Sequence, residues 1–322
     1  MVAAAEPGPA AAPLALRAPP PLRPGDRVAL FSPSGHLGEA YGRLTTAARE
    51  VLAGWGLRVD PLPAAEPRHR YFAGDDAFRA AQFQALYADP EVRGLFMTRG
   101  GYGAGRLVPL LDAAALRAAP PKVVVGFSDA TALFAWLHTR VGVQAIHGPG
   151  LASAALVDAP RKAESLIALR ALVFGEPPPT FPLEVLHLPP EAPPGAAGPL
   201  VGGCLSVWQT TLGTPWEVPT AGTVLFLEEV DEAPYRIDRM LNHLRTAGRL
   251  AGVRALVLGQ FVGCGEPEAV REALADALAG APCPVFTGLP AGHGDPNLAL
   301  PLGRPARLDW GPGGAGATLR FP

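Results

Sequence analysis

Apolar residues along the chain fall into short continuous runs that alternate with stretches of helical spacing. RVALF at 27–31, VRGLFM at 92–97, KVVVG at 122–126, GTVLFLEEV at 222–230, VRALVLGQF at 253–261 and PVFTG at 284–288 are rich in β-branched and aromatic residues and end in Gly, Ser, Thr or acidic turns. Such runs predict buried strands. GLRVDPLP at 56–63 predicts a further short strand. Between them, residues 39–54, 75–90, 107–120, 129–139, 235–248 and 267–280 carry the three- and four-residue apolar spacing of helices. In the second of these, Asp75 or Asp76 is placed to cap the helix, and Ala80, Phe83, Leu86 and Tyr87 fall on one face.

Strand and helix in alternation predict an α/β fold: an N-terminal parallel-sheet domain over 23–175, followed by a C-terminal α/β domain over 199–322. Residues 1–22 are Ala- and Pro-rich and predict a disordered start. Residues 176–198 are dense in Pro and predict a linker.

Composition narrows the function. Of 322 residues, 48% are hydrophobic and 17% charged, enough apolar material for a packed core, and the net charge of -2 offers no basic excess for nucleic acid. No uninterrupted apolar run is long enough to span a membrane, and the start lacks a basic region followed by an apolar one. The expectation is a cytoplasmic protein without membrane or nucleic-acid partners. Three cysteines (Cys204, Cys264 and Cys283) form no CxxC pair, which predicts buried thiols rather than a disulfide framework or metal site.

Candidate chemistry starts at VVVGFSDAT, where a strand feeds a tight Gly-Phe-Ser-Asp-Ala turn and a helix leaves it. This is the form of a nucleophile elbow: the sharp turn lifts Ser128 clear of the sheet, and the Asp129 amide at the helix start can face a developing oxyanion. The bland alternative is that Ser128 merely caps the helix. A serine nucleophile needs a base and a group to orient it. Seven histidines are present; His293, in the Gly-flanked loop GLPAGHGDPN, and His147 and His36, each beyond a strand, are the candidates. His243 reads as structural, and His69, His138 and His187 as surface or loop residues. Glu228 ends an apolar strand, where an ionised group is out of place unless used or paired, with Arg236 and Arg239 as its plain ion-pair partners. Glu229, Asp231 and Glu232 read as solvated acids of the following turn. TRGGYGAGR at 98–106 carries a G-x-G-x-G spacing short of the dinucleotide fingerprint and lacks the Lys-Ser/Thr of a phosphate loop. Its better use is a close, unhindered backbone N–H, a second oxyanion donor.

Five long stretches, in order from about residue 24 to about 309, resemble the LD-carboxypeptidases: 71–112, 121–149, 198–217, 223–248 and 284–303. The resemblance implies a serine peptidase with a Ser-Glu-His triad, which falls on Ser128, Glu228 and His293, and an oxyanion hole on the backbone of Gly101 and Asp129. It implies an active site between two domains, a homodimer, and no metal or other cofactor. The implied substrate is a small peptide, murein tetrapeptide, cleaved between an L-centre and a terminal D-Ala in peptidoglycan recycling. Arg99, Tyr102 and Arg236 are candidates to hold substrate. A sister branch, similar to the microcin C immunity protein, cleaves acyl-sulfamoyl or phosphoramidate adenylates and forms the first rival reading. A non-catalytic nucleotide- or sugar-binding module, supported by the Gly turn alone, forms the second. The family often has Asn where this chain has Cys204.

Overall fold

The computed structural model describes residues 14–63, 65–311 and 316–322. Five strands, β1 (Arg27–Phe31), β2 (Arg58–Val59), β3 (Val92–Met97), β4 (Val123–Gly126) and β5 (Ala145–His147), alternate with helices as the spacing predicts. The helices of this half are α1 (Tyr41–Gly54), α2 (Asp76–Ala88), α3 (Ala104–Leu107), α4 (Ala113–Ala118), α5 (Ala130–Trp136), α6 (Ala154–Val157) and α7 (Lys162–Val173). Asp75 caps α2, its carboxylate accepting from the Phe78 amide at 2.7 Å. The helix expected over 107–120 is instead broken: Asp112 caps the short α4, accepting from the amides of Ala114 and Ala115.

The second half continues with β6 (Phe181–His187), β7 (Gly195–Cys204), α8 (Leu205–Gln209), β8 (Val224–Val230), α9 (Pro234–Thr246), β9 (Ala255–Val262), α10 (Pro267–Leu278), β10 (Val285–Thr287), β11 (Leu300–Leu302), β12 (Pro305–Trp310) and β13 (Ala317–Arg320). Two sheets result. The first has the order β11-β5-β4-β3-β1-β2, with β1 to β5 parallel and β11 added antiparallel to β5. The second closes into a barrel in the order β10-β6-β13-β12-β7-β8-β9, parallel from β7 through β10 and antiparallel elsewhere.

Two expectations are corrected here. Residues 176–198 are not merely a linker, because β6 and the start of β7 lie within them and β6 closes the barrel between β10 and β13. Most of the prolines flank β6 and β7, and Pro182, exposed within β6, lies outside the part of that strand that pairs with β10. Of residues 1–22, those from 14 onward pack: Arg17 bridges Val143, and Leu22 is buried with its amide bonded to the Val173 carbonyl at 2.8 Å. The remainder of that segment lies outside the described residues.

Three apolar layers follow from this arrangement. Leu30, Leu44, Leu52, Phe96 and Leu169 fill one face of the parallel sheet. Phe31, Phe83 and Leu133 on the other face run without interruption into Phe226, Phe286 and Leu308 of the barrel. Leu227, Ile237, Leu241 and Leu274 pack α9 and α10 onto the barrel. Each such side chain contributes about 1.5–3 kcal/mol on burial. The continuous middle layer, together with β11, joins the two halves, so strand ends of the sheet and of the barrel come to one place.

Candidate active site

That place is where β3 and β4 end against β8 and the loop after β10. Ser128 follows β4 and precedes α5, with a left-handed φ of +60°. A non-glycine residue rarely adopts that conformation, and it costs of order 1–3 kcal/mol. The N-cap of α5 is Asp129, with no side-chain cap bond, so Ser128 does not cap the helix. The turn after β3 lies directly over the serine. A Cβ on Gly100 would sit 2.8 Å from Ser128 Cβ and 2.9 Å from its Oγ, so any side chain there must push the turn and the serine apart. Gly101 follows with a φ of +116°, and among the described residues neither its amide nor that of Asp129 finds a backbone acceptor.

The barrel supplies the other partners. Glu228 on β8 is fully buried, and the His293 Nδ1–H donates to its Oε2 at 2.6 Å. His293 is held by its loop: Gly292 N–H donates to Asn297 Oδ1 at 3.1 Å, and Gly294 N–H to Gln260 Oε1 at 2.9 Å. Gln260 in turn donates to the Pro296 carbonyl. A Cβ at Gly292 would lie 2.7 Å from Glu228 Oε2, so the loop can press its backbone onto the carboxylate only as glycine. The bond through Nδ1 leaves Nε2 as the nitrogen available to a hydroxyl. The Phe127 ring, next to Ser128, lies 4.9 Å from the imidazole, which brings the serine turn and His293 to a common edge.

His147, one of the rival histidines, is also brought in. It is fully buried at the end of β5, with Nε2 3.8 Å from Glu228 Oε1 and its ring edge-on to Phe127 and Phe226. Burial pushes the Glu228 carboxyl up, but the imidazoles of His147 and His293 outweigh it and hold the group below its ordinary value. Glu228 thus stays ionised, as an orienting carboxylate must. The plain alternative for Glu228, an ion pair to Arg236 or Arg239, does not form; Arg236 bonds Glu232 and Tyr235 on the surface of α9 instead.

Glu229 corrects another expectation. It is 1% exposed rather than solvated, because β8 runs on to Val230 and its register against β9 shifts between Leu227 and Glu229. Successive strand residues face opposite ways. Glu229 therefore turns from His293 towards α8, accepting from Ser206 N–H at 2.6 Å, from Val230 N–H and from Cys204 Sγ at 3.4 Å. Burial raises its carboxyl above the ordinary value, and burial with the two nearby glutamates raises the Cys204 thiol. His138 and His187 are likewise not loop residues: His138 lies in a helical turn after α5, where burial lowers its pKa to about 4, and His187 closes β6 with a bond to the Ala281 carbonyl.

Arg99 and Tyr102 sit on the rim of the turn. Arg99 is exposed and donates to the His36 carbonyl at 3.3 Å; Tyr102 is exposed and packs near Tyr71 and Phe72. The Asp129 carboxylate, beside the amide considered from the sequence, is buried and reaches back under the turn to Ser34 and Ala104. No spacing rule marks that contact, nor the bracing by Gln260 and Asn297: Asp129 adjoins Ser128 and Asn297 lies four residues past His293, but Gln260 is remote from both in the chain. Among the described residues no group of three or more His, Cys, Asp or Glu side chains gathers as metal ligands, and no helix is long and apolar enough to cross a membrane.

Comparison with known proteins agrees with this geometry. A family model described as the LD-carboxypeptidase N-terminal domain matches residues 28–148, and one described as the C-terminal domain matches residues 197–308. A relative from Streptomyces coelicolor is 43% identical over 295 residues, 90% of this chain and 93% of its own. The murein tetrapeptide carboxypeptidase of Pseudomonas aeruginosa is 32% identical, covering 88% of this chain and 93% of its own. The solved structure of a muramoyltetrapeptide carboxypeptidase from Oxalobacter formigenes superimposes with a TM-score of 0.77 at 28% identity, covering 92% of this chain and 98% of that one. With both domain models matched in order and the sheet and barrel meeting at one edge, the chain belongs to the LD-carboxypeptidase family of hydrolases.

Proposed function

We propose that the chain is a serine-type carboxypeptidase that hydrolyses the amide between an L-centre and a terminal D-amino acid, with murein tetrapeptide losing D-Ala as its substrate. The observation that carries the reading is the buried Glu228–His293 hydrogen bond of 2.6 Å, presented by the barrel at the edge where Ser128 stands strained between strand and helix.

In the mechanism, His293 Nε2 takes the Ser128 hydroxyl proton as Oγ attacks the scissile carbonyl. Glu228 fixes the Nδ1–H tautomer and stabilises the imidazolium. The amides of Gly101 and Asp129 receive the oxyanion, each donor contributing about 3 kcal/mol in comparable sites. His293 returns the proton to the leaving amine, and the D-amino acid departs. Water, deprotonated by the same imidazole, then cleaves the acyl-enzyme and regenerates the serine. Arg99, beside the turn and without a carboxylate partner among the described residues, is the group that takes the free carboxylate, with Tyr102 flanking it. Arg236 is a weaker choice, since its guanidinium already bonds Glu232.

The test is mass-spectrometric detection of D-Ala released from murein tetrapeptide, run beside an aminoacyl-sulfamoyl adenosine. Release of D-Ala, absent in Ser128→Ala, is expected. Cleavage of the adenylate alone would replace the substrate; turnover of neither, or full turnover by Ser128→Ala, would remove the reading.

A further inference from the structure

Two charged side chains without a part in this mechanism meet beneath the glycine turn. The Asp129 carboxylate is 3% exposed; its Oδ2 accepts from the Ser34 hydroxyl at 2.5 Å and from the Ala104 amide at 2.7 Å. From α2, the fully buried Arg79 approaches the same turn. Its Nη1 donates to the Gly103 carbonyl at 3.0 Å and to the Pro33 carbonyl, its Nε to the Gly74 carbonyl at 3.3 Å, and its Nη2 to Asp76. The guanidinium also lies 4.7 Å from the Phe72 ring centroid.

Apart from the Arg79–Asp76 pair, these bonds go to the loops around Ser34 and Gly74 and to the glycine turn. The peptide between Gly103 and Ala104 is gripped from both sides, its carbonyl by Arg79 and its N–H by Asp129. That fixes the rotation of the peptide plane two residues beyond Gly101. Gly100, at the other end, is pressed against Ser128. Buried charge of this kind is costly, and apolar packing would hold a turn as stably. What directional charge-assisted bonds add is placement, and an oxyanion donor acts only if its N–H is aimed before the reaction begins.

We infer that the Asp129 side chain and Arg79 are positioning residues that hold the Gly100–Ala104 turn in register with Ser128. One residue thereby links both oxyanion donors: Asp129 supplies one amide directly and aims the loop that carries the other. This inference rests on Ser128 being the nucleophile.

The test compares wild type with Asp129→Asn and Ser34→Ala, reading kcat and KM for D-amino acid release, melting temperature, and the rate at which a fluorophosphonate modifies Ser128. Asn keeps the shape and can place its amide oxygen at the Oδ2 position, but a neutral oxygen accepts from Ser34 and Ala104 more weakly than a carboxylate does. Asp129→Asn is expected to lower kcat about 10- to 100-fold, less than the roughly 100- to 1,000-fold of an oxyanion donor removed outright, with KM within about threefold and the serine modified correspondingly slowly. Ser34→Ala is expected to lower kcat about threefold to tenfold. A folded Asp129→Asn with kcat within about threefold of wild type, or with its loss carried by KM, overturns the inference. If Asp129→Asn does not fold, Ser34→Ala and Arg79→Lys decide, and unchanged kcat in both overturns it. Absence of the wild-type adduct at Ser128 would remove the serine reading itself; a normal wild-type adduct with an undisturbed Asp129→Asn removes only this inference.

Discussion

The parallel sheet and the barrel present their parts of the site by different means. On the sheet side, backbone does the work: a serine at φ +60°, a glycine turn laid against it, and two amides with no backbone acceptor among the described residues. On the barrel side, side chains do it: a buried carboxylate on β8, met by His147 from the sheet and by His293 on a loop braced by Gln260 and Asn297. Backbone placement is set by a few local residues and tolerates no added atoms, whereas side-chain placement depends on distant strands closing correctly. Damage to the first is therefore expected to be steric and confined to kcat, and damage to the second electrostatic and felt by stability as well.

The largest effects come from removing each half's reacting group. Ser128→Ala is expected to lower turnover by about 10⁴-fold or more with the fold retained, and Glu228→Gln by about 10³- to 10⁴-fold, both read from D-amino acid release. Only the glutamate variant is expected to lower the melting temperature, since two imidazoles lose their shared anion. Next come the steric changes. Gly100→Ala is expected to reduce kcat about 100-fold with little change in stability, through displaced donors. Gly292→Ala is expected to cost about 1–3 kcal/mol in denaturant unfolding as well as activity, because its φ of +131° and the approach to Glu228 are both violated.

The seam between the halves offers a smaller test. His138 lines a small cavity together with Val201 of β7 and Trp208 of α8, and burial lowers its pKa from 6.5 to about 4. The unfolded chain binds this proton first, so the stability from the neutral imidazole is present above pH 6.5 and is lost as pH falls towards 4. Over that window His138→Gln is expected to lose about 2 kcal/mol less than wild type in urea titrations. The smallest effect sharpens the claim about strain: Ser128→Gly is expected to be about 1 kcal/mol more stable than Ser128→Ala, since only glycine is at ease at that φ.

The same contrast governs what could be read from the residues alone. The Ser128 turn was legible because strand, small residues and helix are adjacent in the chain. Glu228 was legible as a carboxylate ending an apolar run. His293 was singled out only through the family resemblance, because its partner lies 65 positions away. The burial of Glu229 was not legible, since it follows from a register shift between strands. Nor was the closure of the barrel through 176–198, or the passage of β11 into the first sheet; long-range pairing leaves little mark on local spacing, and prolines at exposed strand positions mimic a linker. The role of the Asp129 side chain leaves no local mark either, since its partners Ser34 and Ala104 lie 95 and 25 positions away.

The central claim is that Ser128 carries the acyl group during turnover. Rapid acid quenching of the enzyme with murein tetrapeptide, followed by peptide mapping, tests it directly. The account predicts a mass increment on the Ser128 peptide equal to the tetrapeptide's acyl part after loss of D-Ala, and none in His293→Ala. D-Ala release with the acyl mass on another residue, or with none trapped at any quench time, would contradict it.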